Sequence, residues 1–141
     1  MLEKLKPVGL LWLRLALGVI FFHNGYQKLF VATAGALTEF HRMGLPSYFA
    51  YITGVLELFG GILLVAGLLT RVTALLLAIE TALVLVKISI PQSGLYAVPK
   101  YQFPLVLCAA VFALATVGAG LLSVDAAAFG RAGKPRTKSK D

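Results

Sequence analysis

Charge is scarce in this chain, and acid is scarcer than base. Only 13% of the 141 residues are charged, with six Asp or Glu against thirteen Lys or Arg, where a soluble globular protein carries roughly a quarter. Mean hydropathy is +0.87. So little polar surface cannot coat a water-soluble particle of this size, which excludes an ordinary soluble domain and predicts a membrane protein. A single cysteine, Cys108, rules out an internal disulfide and a CxxC redox pair. Set in an apolar run, it reads as an inert core residue. Of the two histidines only His23 lies within a long apolar run, His41 falling in a loop, so a haem held by two histidines inside the chain is not expected. Metal-ligand spacing, a phosphate-cradling loop and a nucleophile–base arrangement are all missing, and no metal is expected.

The net charge of +7 raises the question of nucleic acid. Its placement argues against that partner. Arg131, Lys134, Arg136, Lys138 and Lys140 all follow the last apolar run, as in a cytoplasmic tail lying beside anionic lipid.

What the chain does have is four apolar runs. They predict an all-α integral membrane four-helix bundle, with transmembrane helices at about 8–30, 48–69, 72–90 and 101–122. Residues 1–125 would form this one domain, and residues 126–141 a basic cytoplasmic tail, disordered after Phe129. A secretory signal peptide competes for the first run, because Ala32-Thr33-Ala34 resembles a cleavage site. Arg14 interrupts that run, however, and His23, Asn24, Gln27 and Lys28 precede the site, so a retained helix is expected. In the first loop, Leu37, Phe40 and Met43 recur at helical spacing and suggest a short interfacial helix before Gly44-Leu45-Pro46. The 48–90 stretch would be about 64 Å long as one helix and must turn; Thr70 and Arg71 are the polar place to do so.

Gly54–Arg71 organises the chain, since it carries a lone carboxylate, Glu57, in a glycine-rich span. An acid inside a transmembrane run is costly and needs a partner. Four crossings place both termini on one side, and the excess of Lys and Arg there makes that side cytoplasmic. Arg14 then lies about 9 Å, and Glu80 about 12 Å, in from the cytoplasmic ends of their helices. Depth therefore pairs Arg14 with Glu80 as a structural charge pair. Glu57 sits nearer the midplane, with His23, Lys28 or Lys87 as its candidate partners. His23, Lys28, Glu57 and Lys87 together form the candidate polar intramembrane site. The bland alternatives are packing pins without chemistry and, for Lys28, interfacial snorkelling. A carboxylate buried near basic groups could instead carry protons or hold the oxygens of a quinone head group.

The runs RLALGVIFFHNGYQKLF (14–30), GLP (44–46), GVLELFGGILLVAGLLTRVTALLLA (54–78) and SVD (123–125) carry a resemblance. Over about residues 10–123 the sequence resembles the DoxX family of small bacterial and archaeal membrane proteins. The resemblance implies a four-helix bundle in the plasma membrane and a link to quinone chemistry. The family is named for a subunit of a terminal quinol oxidase or thiosulfate:quinone oxidoreductase, and many members are described as oxidoreductases. It brings forward Arg14, His23, Lys28, Glu57, Arg71 and Glu80 as candidates. A quinone or quinol is the implied cofactor, and a partner subunit or a second copy the implied protein partner. Whether the chain itself catalyses is left open. The rival readings are a scaffold or assembly subunit, using the glycine face of the second helix and the charge-free fourth helix as contact surfaces, and a small-solute or proton transporter that would have to dimerise.

Overall fold

The computed structural model describes residues 1–129; the side chains of Ile88, Gln92, Ser93 and Phe129 lie outside that description. The chain is all-α. Helix α1 covers Leu2–Tyr26 and runs on through a π-helical turn, Gln27–Val31; α2 is Thr33–Arg42 and α3 Tyr48–Ala66. Helix α4, Thr70–Val84, likewise continues through a π-helical turn, Leu85–Ser89, into the short α5, Ile90–Ser93. Helix α6 is Val98–Val117 and α7 Val124–Phe129. Three of these segments, Leu2–Val31, Tyr48–Ala66 and Val98–Val117, are long and apolar enough to cross a membrane. Helix α4 is the shorter fourth, at 15 residues before its π turn. The basic tail expected from residue 126 lies outside the described residues from 130 onward.

Packing follows from where the small residues fall. A Cβ built on Gly61 would meet the carbonyl oxygen of Gly18 and the backbone nitrogen of Phe22 at 2.5 Å each, and one built on Gly25 would meet Gly54 O at 2.6 Å. Residues 18 and 25 thus face 61 and 54 in reverse order, so α1 and α3 are antiparallel and almost in backbone contact. Glycine alone permits that approach. The seam also corrects one expectation: the glycine face of α3 is not free for a partner, because α1 of the same chain fills it. Helices α4 and α6 pack the same way round, Arg71 reaching Val117 and Cys108 reaching Ala78. Between the two pairs lies a core of Leu17, Phe21, Leu64, Leu77, Val111 and Leu114. The outward faces carry Trp12, Phe59, Ile79 and Phe112, all more than half exposed, as lipid-facing surfaces should.

The turn between α3 and α4 falls earlier than the polar pair Thr70-Arg71. Gly67 adopts φ 73°, and the N–H groups of Gly67 and Leu68 donate to Leu64 O and Leu63 O, closing α3 in a Schellman arrangement. Leu69 follows at φ 49°, uncommon for a branched side chain. Its N–H and that of Thr70 donate to the two carboxylate oxygens of Asp125, at 2.8 and 2.9 Å. A carboxylate from the end of the described chain thereby satisfies the free donors that begin α4. Thr70 and Arg71 are the first residues of the new helix, not the bend itself. Apolar Leu68 and Leu69 can occupy the bend because glycine geometry, rather than polarity, makes it.

A partly buried ammonium between two carboxylates

Three helices deliver charge to one point inside the bundle. Lys28, in the π turn that ends α1, reaches Glu57 Oε2 of α3 at 2.8 Å and Glu80 Oε1 of α4 at 3.2 Å. Both carboxylates are buried, each 6% exposed. The approach again needs a glycine: Gly54 lies directly against Leu29 and the Cβ of Lys28. A wider π turn changes which side chains face inward, and such turns recur at functional sites. Above the ammonium sits the ring of Phe40 from α2, its centroid 5.8 Å from Nζ, within cation–π range.

The three charges do not balance each other's hydrogen bonding. Among the described residues Glu80 Oε2 is buried without a hydrogen-bond partner, while Glu57 Oε2 is held by the ion pair alone. A cavity of about 150 Å³ opens beside them, walled by Asn24, Thr81, Phe103 and Leu107. A second, of about 180 Å³, lies beneath α2 between Phe40, Met43, Phe49, Thr53 and Leu83. Glu80 borders both cavities; Glu57 borders only the first. Among the described residues no group of three or more His, Cys, Asp or Glu side chains could hold a metal ion. Donor and acceptor meet here at the edge of a small space, suited to hydrogen bonding a polar ring or passing a proton.

The DoxX family model matches residues 9–89, which take in Lys28, Glu57 and Glu80. The chain belongs to the DoxX family. It is 34% identical over 126 residues to the protein named "Putative oxidoreductase CatD" of Bacillus subtilis, covering 88% of this chain and 90% of that one. It is 37% identical over 92 residues to an uncharacterized membrane protein of Mycobacterium tuberculosis, covering 62% of this chain and 56% of the relative. To the Escherichia coli "Inner membrane protein YqjF" it is 34% identical over 77 residues, 55% of this chain and 58% of that one. No solved structure matches the chain.

In this DoxX protein the other candidates lie elsewhere. His23 is exposed, on the side of α1 away from the buried Arg14, Gly18, Phe21 and Gly25, and takes no part in the cluster. Its depth suited a pairing with Glu57; its azimuth did not. Lys87 is exposed at the rim of the cavity beneath α2, and the ammonium between the carboxylates is that of Lys28. The pairing of Arg14 with Glu80 does not form. Arg14 is 2% exposed and donates from Nε to Leu64 O at 3.1 Å, and from Nη1 to Ala119 O at 2.7 Å and Leu122 O at 2.9 Å. The carbonyls of Ala119 and Leu122 lie past the end of α6, and that of Leu64, shared with Gly67 N–H, lies in the last turn of α3. Carbonyls at helix C-termini carry partial negative charge, so a guanidinium is well matched to them.

Asp125 is the residue that sequence reasoning left without a role. It lies just after the last apolar run, and only the fold returns it to the start of α4. A cue was present in the sequence: it is the one acid between Glu80 and the C-terminal residue.

Proposed function

We propose that this DoxX protein is the membrane component of a quinone-linked redox system and that Lys28, Glu57 and Glu80 form its head-group site. One observation carries the reading: a partly buried ammonium and a buried carboxylate oxygen without a hydrogen-bond partner among the described residues stand side by side at a cavity between helices. The donor set fits the group, since a quinone oxygen accepts from an ammonium and a quinol hydroxyl donates to a carboxylate. When bound, a quinone supplies a carrier for two electrons and two protons. The residues of the chain hold and orient the ring, and Phe103 and Leu107 keep bulk water away from it. The carboxylates of Glu57 and Glu80 take or give protons at their oxygens. Support also comes from the relative named an oxidoreductase.

The test is the quinone content of protein purified in mild detergent, measured by solvent extraction and chromatography. Wild type should retain quinone, and Lys28→Met should fall to the level of empty micelles. Absence of quinone from wild type, or equal amounts in both, removes the assignment. We further place the protein in the plasma membrane with both termini on the cytoplasmic side, from the distribution of Lys and Arg. The named location of the Escherichia coli relative agrees with that membrane. An external protease that trims residues 130–141 in right-side-out vesicles would reverse the orientation.

A further inference from the structure

The cluster has two acids for one base. Glu57 and Glu80 both pair with Lys28. Among the described residues, the other side chains lining the cavities beside these two acids add no charge apart from Lys87: Asn24 from α1, Phe40 from α2, Thr53 from α3, Thr81 from α4, and Phe103, Pro104 and Leu107 from α6. Glu39 of α2 borders a separate cavity with Lys28 and pairs with Arg42 at 3.5 Å. Lys87, on the π turn after α4, is exposed at the rim. The nearby hydroxyls are committed, Thr53 donating to Ala50 O and Thr81 to Leu77 O. Among the described residues nothing donates to Glu80 Oε2.

We propose that the cluster holds one exchangeable proton, on Glu80 Oε2, and that the cavity beneath α2 is the route by which this proton meets the medium. Two carboxylates that share a site in a water-poor interior hold a proton between them, which here leaves the site neutral. Geometry selects Glu80. Glu57 makes the shorter contact to the ammonium and borders only the inter-helix cavity, whereas Glu80 makes the longer one and joins both spaces. The space beneath α2, about 180 Å³, has room for a few water molecules at about 30 Å³ each. Phe40 of α2 lines it, and the same ring stands over the ammonium at 5.8 Å. The cluster is thus a proton-loading site in its own right, whether or not a quinone binds beside it.

Dicyclohexylcarbodiimide, which attacks protonated carboxyls inside membranes, reads the proton directly. Protein in liposomes is treated with the reagent and the adduct mapped by peptide mass spectrometry. The adduct is expected on Glu80 and not on Glu57. Charge counting then sets the signs for two variants. Glu57→Gln leaves one acid to one base, so labelling of Glu80 should be lost; Lys28→Gln leaves two acids and no base, so labelling should appear on both. No adduct on wild type, equal adduct on both acids, or labelling that survives Glu57→Gln overturns the proposal. Should the variants fail to fold, the infrared carbonyl band of a protonated carboxyl in wild type, absent from Glu80→Gln, decides the same point. The route is tested by the deuterium shift of that band, which Thr53→Phe should slow by filling the cavity; an unchanged rate refutes the route. Quinone content and proton content are separate readings, so either proposal can fail alone.

Discussion

Replacing Gly25 by alanine should destabilise the bundle, while the same change at Gly9 should not. Both sites lie in α1, so both gain about 1 kcal/mol from the better helix propensity of alanine. At Gly9 a Cβ meets nothing within 4 Å. At Gly25 it would lie 2.6 Å from Gly54 O and against the backbone of Leu58, atoms that no rotamer change can move aside. Carbon contacts are optimal near about 3.5–4.0 Å, so α1 and α3 must part by on the order of 1 Å. Overpacking of this kind costs about 1–3 kcal/mol, and that is the expected gap between the two variants, with backbone atoms placing it at the upper end. The separation also draws Lys28 away from Glu57, so the strain reaches the cluster. Equilibrium unfolding in mixed micelles, followed by circular dichroism, measures the gap. Equal stability of the two variants would refute the account of the α1–α3 seam.

Three further outcomes follow from the same contacts. Arg14→Met strips the guanidinium from the carbonyls of Ala119 and Leu122 and leaves Leu64 O with Gly67 N–H alone, and should lower stability by about 2–5 kcal/mol in the same unfolding assay, with Arg14→Lys restoring only part. Asp125→Ala uncaps α4 and should cost about 1–2 kcal/mol, seen first as faster amide exchange at Leu69 and Thr70; exchange unchanged there would count against the cap. Gly67→Ala forces a side chain into φ 73° against the guanidinium of Arg14 and should cost about 1–2 kcal/mol from the backbone alone, whereas Gly44→Ala, at φ 74° but in open space, should show only that backbone part.

How much of the site was legible in the sequence differs from residue to residue. At about 100° per residue the sequence of α1 sets Arg14, Gly18, Phe21, Gly25 and Lys28 near one line and His23 away from it, because a helix repeats its faces whatever its surroundings. The first four are the buried face. The partner of Arg14 was not legible. Depth along a helix is a one-dimensional quantity, and Glu80 suited it on that measure alone. What decided the matter was the presence of carbonyl acceptors around the guanidinium, and backbone carbonyls leave no mark in a sequence.

By itself the sequence determined that the chain is a helical membrane bundle. Too few polar side chains and apolar runs near bilayer length leave no other way to satisfy the backbone. It also determined that acids buried in those runs must find company. Which base they found, the place of the α3–α4 bend and the return of Asp125 were decided only by tertiary structure. Each depends on the azimuth at which one helix meets another, set by glycines that let α1 and α3 touch and by a π turn that aims Lys28, and local pattern does not encode an angle between distant segments.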